Sequence, residues 1–228
     1  MLHVSRTLDL FGLDRSHLVR VQNARSSNVN PGLIARYAVA PRLHPRYAET
    51  GQVEGRPTAL VIAMDPENRW RDVESRAEEL RVLQQALRQE VEAQGGAITQ
   101  EGLDFLVSVH VWGDQKYELA NFSDDELASA LKQLVFELRT NVEAGMGAQI
   151  AAELASARSN CQDIGVVLGR LRIPASKVRL AELLWPVLLR KIQSQAGEES
   201  PTLPLLRVLN DVRDKVGLLS GSGYVLGG

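Results

Sequence analysis

The segment from Thr58 to Met64 reads TALVIAM, and it stops abruptly at Asp65-Pro66-Glu67-Asn68. A continuous apolar run of strand length, bounded by turn residues, predicts a central strand buried on both faces of a parallel sheet. Open α/β sheets place their sites outside the carboxyl ends of such strands. Asp65 and Glu67 stand two apart on extended backbone, so their side chains point the same way. Two carboxylates so placed offer the oxygen ligands that a hard divalent cation prefers. The plainer alternative is a solvated strand end leading to a helix. Pro66 fixes the backbone between the two acids and suits either.

The rest of the chain alternates around this strand. Val4 to Phe11 reads as the end of a helix, stopped by Gly12. His17 to Val21, HLVRV, predicts a short strand followed by turn residues. Asn30 and Pro31 open a helix through LIARYAVA. Asp72 to Gln94 carries Val73, Ala77, Leu80, Leu83, Leu87 and Val91 at helical spacing. Leu103 to Trp112 predicts a second strand in DFLVSVHVW, alternating at Leu106, Ser108, His110 and Trp112. Ser123 with Glu126 forms a capping box for a helix to about Glu143. Beyond it come a helix from Ala148, a strand-sized GVVLGRL, a helix from Val178 to Gln195, a linker over 196–204 and a helix from Leu205 to Lys215 with a frayed tail. The expected class is α/β, a mostly parallel sheet with a helical C-terminal half.

Charge limits the partners. The chain has 228 residues, with 26 Lys+Arg against 28 Asp+Glu and a formal net charge of −2. That balance gives no global attraction to nucleic acid, so any such binding needs a local basic groove or a partner. Arg20, Arg25, Arg36, Arg42 and Arg46 make a locally basic N-terminal region, or simply a solvated face. No run approaches the ~18 apolar residues of a membrane span, and no apolar leader marks the N-terminus. A soluble, cytoplasmic protein is expected, without a membrane partner. The single cysteine, Cys161, excludes an internal disulfide. The four histidines, His3, His17, His44 and His110, show no metal spacing and no triad partner.

Two further residues carry possible chemistry. Glu118 lies in KYELANF, just after the second strand, where it either shares the rim with Asp65 or sits on a solvated turn. Lys177 precedes a long amphipathic helix, where a lysine can steady a phosphate or simply face solvent.

TALVIAMDPE and VHVWGDQKYELANF together resemble a TOPRIM domain of the form found in the overcoming-lysogenization-defect nucleases. In that family a central strand ends in Asp-x-Asp or Asp-x-Glu. A later strand leads into a segment that KYELANF matches with Glu118 and Asn121 one position wider apart. The resemblance covers roughly residues 10 to 125. It implies a TOPRIM-like α/β core over residues 1–145 and a helical extension over 146–228. It further implies Mg²⁺ or Mn²⁺ held by Asp65, Glu67 and Glu118, with Glu118 and Lys177 in catalytic roles. The implied activity is phosphodiester cleavage of nucleic acid, with an ATPase or other protein partner and a homo-oligomeric state. One departure stands out. The family's first strand ends in a glutamate, and no glutamate here precedes Glu49. That strand lies upstream of Met1, or its glutamate is absent, or a partner supplies it. The alternative is a non-catalytic α/β binding or assembly module in a multi-protein complex.

Overall fold

The computed structural model describes residues 2–13, 19, 21, 30–32, 35, 59–67, 70–93, 97–138, 144–174 and 177–221. The chain divides into two compact units. One comprises Met1–Asn23 and Trp112–Asn210, the other Ala24–Val111 and Asp211–Gly228.

The second unit holds the sheet. Strands β1 (Leu60–Met64) and β2 (Val107–Val111) pair in parallel, from Leu60 opposite Val107 to Met64 opposite Val111. Residues paired in register share a face, so Leu60, Ile62, Val107 and Val109 lie together and Val61, Ala63, Ser108 and His110 lie opposite. The first face packs on helix α2 (Val73–Ala93) and helix α3 (Gln100–Leu106) around buried Leu83, Leu87, Leu103, Leu106 and Val107. Asp72 starts α2 by accepting a hydrogen bond from the Ser75 amide at 2.7 Å.

The expectation of a mostly parallel sheet is too large. Among the described residues the sheet has two strands, and helices make up most of the chain. The strand expected from Leu103 begins only at Val107. Thr99 caps Gln100–Leu106 as a helix through a bond from the Gly102 amide, and helix passes into strand without a loop. Every residue of β1 is half-buried, so the apolar run is not a fully covered central strand. Of HLVRV only Val19 and Val21 are described, and neither is in a strand; most of the Asn30 helix and the five noted arginines lie outside the described residues.

The first unit is helical. Helix α1 (Leu2–Leu10) ends at Gly12, whose φ of 71° closes the turn. After β2 come α4 (Tyr117–Asn121), α5 (Asp124–Leu138), α6 (Met146–Ser159), α7 (Ile164–Arg170) and α8 (Lys177–Gln195). Helix α9 (Pro204–Gly221) begins in this unit and ends in the other. The frayed tail expected beyond Lys215 is therefore helical as far as Gly221. The Ser123–Glu126 capping box forms as the spacing requires, with the Ser123 amide 2.7 Å from the Glu126 carboxylate. Helix α5 packs on α6 and α8, α6 on α7, and α1 on α8. Leu180, Leu184, Leu188 and Ile192 recur every fourth residue and form the buried stripe of α8. GVVLGRL is helix rather than strand. Asp163 caps it through the Gly165 amide, and Val167 and Leu168 are buried.

Candidate functional site

The parallel register sets the carboxyl ends of β1 and β2 side by side, at Met64 and Val111. Asp65 and Glu67 issue from that rim. The Glu67 amide donates to the Asp65 carbonyl at 2.8 Å, and the Trp70 amide donates to the Glu67 carbonyl at 3.0 Å. Pro66 and Trp70 are buried, so the acidic turn is tight and anchored from below. Both acids are half-buried. Among the described residues, no group of three or more His, Cys, Asp or Glu side chains is arranged to hold a metal ion.

The opposite face of the same strands carries a polar cluster. Asp211 of α9 takes a hydrogen bond from the Ser108 hydroxyl and another, at 2.8 Å, from His110 Nε2, both on Oδ2. Lys215 Nζ lies 3.3 Å from Asp211 Oδ1 and donates to the Phe105 carbonyl at 2.5 Å. Burial of Asp211 opposes its ionisation. Hydrogen bonds from His110 and Ser108 and the Lys215 charge outweigh that, and hold the carboxyl down at about 2. An ionised carboxylate only accepts, so His110 Nε2 carries the proton.

In the first unit, KYELANF is braced at almost every residue. Asn121 is 2% exposed. Its Oδ1 accepts from the Leu205 amide at the start of α9, and its Nδ2 donates to the Tyr117 carbonyl. Lys191 Nζ donates to the Asn121 carbonyl and to Glu126, and lies over the Phe122 ring. Arg158 donates to the carbonyls of Leu119 and Phe122 and to Asp124. His3 Nε2 donates to the Ala181 carbonyl at 2.7 Å, which leaves Nδ1 to accept from the Tyr117 hydroxyl at 2.9 Å. Burial raises the Tyr117 pKa, helped by the charge of Glu118. Glu118 occupies the first turn of this held helix.

Lys177 donates to Asp163 at 2.5 Å, the same carboxylate that caps α7. Burial opposes ionisation of Asp163, yet the bonds from Lys177 and the Gly165 amide keep its pKa lowered. Lys177 thus ties the start of α8 to the start of α7. Asp65 and Glu67 are brought together in one unit, while Glu118 and Lys177 belong to the other. Spacing gave no sign of the Ser108–Asp211–His110 cluster, because its carboxylate lies 101 residues beyond the histidine.

Comparison of the chain with family models, curated proteins and solved structures found no match. No helix of the described residues is long and apolar enough to cross a membrane.

Proposed function

We propose that this chain is a metal-dependent, phosphodiester-cleaving module acting on nucleic acid, with Asp65 and Glu67 as the metal ligands. The reading is supported by the turn that follows β1, which carries both acids at the rim where the parallel strands β1 and β2 end side by side. The donor set fits Mg²⁺ or Mn²⁺. Such ions take one or two protein carboxylates and fill their remaining positions with water and phosphate oxygens. A bound ion there supplies Lewis acidity toward the phosphoryl oxygen and lowers the pKa of its water. The chain's own part would be to hold the two carboxylates, and the hydrogen-bonded backbone turn around buried Pro66 supports that role. The proposal rests on Asp65 and Glu67 alone. Glu118 and Lys177 enter it only as residues of the other unit.

The test is nicking of supercoiled plasmid with Mg²⁺ or Mn²⁺. Activity should vanish in Asp65→Ala, and equal activity in the two proteins refutes the proposal. Millimolar Mn²⁺ should also raise the melting temperature of the wild type, since ligands that bind only the native state stabilise it.

A non-catalytic assembly module is the second reading. One observation favours it. Phe136 is 73% exposed and Val178 68%, and these residues adjoin Glu137 and Arg179, which pair at 2.8 Å. Exposed apolar side chains beside an ion pair suit a protein contact. Absence of any Mn²⁺ shift would support this reading.

A further inference from the structure

We propose that His110 is the general base of the phosphodiester hydrolysis, with Asp211 and Lys215 as its positioning residues. The inference rests on the metal-dependent reading above and adds a proton acceptor to it.

Three observations carry it. First, the tautomer is set. Asp211 Oδ2 accepts from His110 Nε2 at 2.8 Å, so the lone pair of the neutral ring is on Nδ1. A carboxylate holding one ring nitrogen while the other receives a proton is the arrangement of histidine bases. Second, Nδ1 has no hydrogen-bond partner among the described residues, and the His110 side chain is 25% exposed, so water reaches it. Third, the position fits. Ala63 is the register partner of His110, and Asp65 follows Ala63 by two residues. Asp65 is therefore the first residue beyond β1, at the carboxyl rim toward which the His110 face runs.

The same geometry argues against Ser108 as a nucleophile. Its hydroxyl donates to Asp211, not to His110. An activated serine instead gives its proton to the histidine. Ser108 joins Lys215 in fixing the carboxylate, and the Lys215 bond to the Phe105 carbonyl ties α9 to the residue two before Val107.

The step balances with water as co-reactant. A water O–H bond breaks and its proton goes to His110 Nδ1. The water oxygen forms a bond to phosphorus. The phosphorus–oxygen bond to the leaving sugar oxygen breaks, and its electron pair leaves with that oxygen, which takes a proton from solvent. His110 then returns its proton to solvent. The products are a phosphate monoester and an alcohol.

The test uses the full chain, supercoiled plasmid and Mn²⁺. His110→Ala should slow nicking by about 10²–10⁴-fold, while Mn²⁺ affinity stays within about twofold of wild type. Added imidazole should restore part of the rate. His110→Gln keeps an amide donor for Asp211 and so keeps the fold. It should be as slow as the alanine variant at unchanged circular dichroism. Imidazole ¹⁵N spectra should show the Nε2–H tautomer in wild type and its loss in Asp211→Asn. Wild-type rates in His110→Gln, no recovery with imidazole, an Nδ1–H tautomer, or Mn²⁺ binding without nicking by the wild type would each overturn the assignment. Asp65→Asn separates the two ideas. If it keeps Mn²⁺ binding, the metal reading fails. If it loses both binding and nicking while His110→Ala nicks normally, only the base assignment fails.

Discussion

Asn121 lies in KYELANF, and both ends of its side-chain amide are bonded to the chain's own backbone. Removing its side chain isolates what those contacts contribute. In Asn121→Ala the Leu205 amide loses its acceptor, Asn121 Oδ1 at 3.0 Å. That amide lies in the first turn of α9, where no intrahelical partner exists, and Leu205 is 0% exposed, so water does not replace the bond. An orphaned buried donor costs about 1–3 kcal/mol. The Tyr117 carbonyl also loses the donor at 2.9 Å. Its cost is smaller, because a carbonyl retains a second lone pair for the helix. The void left by the amide adds up to about 1 kcal/mol. The expected loss is about 2–4 kcal/mol, a large share of the 5–15 kcal/mol typical of a folded domain. Asn121→Asp provides the contrast. It keeps the acceptor and sets a negative charge at the N-terminus of α9, where the helix dipole favours it. It also replaces the donor to Tyr117 by an oxygen that faces that carbonyl in a 2% exposed site, so it should destabilise the protein as well. Urea unfolding followed by circular dichroism measures both, and Trp112 and Trp185 report on the same unit by fluorescence. An alanine variant within about 0.5 kcal/mol of wild type refutes the assignment.

Three further outcomes follow from the helical unit. Burial lowers the His3 pKa below 6.5, so the unfolded chain takes the proton first as pH falls. Its contribution to stability is present above that value and is lost below it, toward the lower folded value. Melting temperatures between about pH 7.5 and about pH 5.5 should fall more for wild type than for His3→Gln. A Cβ on Gly165 would stand 2.7 Å from Asp163 Oδ1 and 2.8 Å from Lys177 Cε. Gly165→Ala should displace the cap of α7 and lower stability by about 0.5–2 kcal/mol in urea. Leu184 is 0% exposed in the stripe of α8, and Leu184→Ala should cost about 2–5 kcal/mol by the same measurement.

The sequence announced features whose causes are local. β1 stood out because an apolar run met Asp65-Pro66, and α5 because Ser123 and Glu126 close a box within one turn. Gly12 stops α1 for an equally local reason. What it hid depends on distant residues. DFLVSVHVW carries helical and strand spacing at once, and the Thr99 cap upstream starts the helix that takes in Leu103 and Leu106. GVVLGRL looks β-rich, yet its cap at Asp163 and its burial against α6 make it helix. The apolar run of β1 implied full coverage, but helices α2 and α3 cover one face, and the other meets a polar cluster from α9. The acidic pair was visible as a motif. His110 was visible only as an unassigned histidine, since Asp211 reaches it through folding.

The junction of α3 and β2 has a consequence for how this protein can change. The last helical residue, Leu106, is followed directly by Val107, which opens the strand while its amide still bonds the Leu103 carbonyl. No spacer absorbs a change of length. Substitutions along β2 alter one side chain each, but a single inserted or deleted codon at this point exchanges the two faces of the strand. Val109 or Val111 would then meet Asp211, and His110 would enter the apolar core. Descendants of this chain should therefore vary in composition across the junction while holding its length constant.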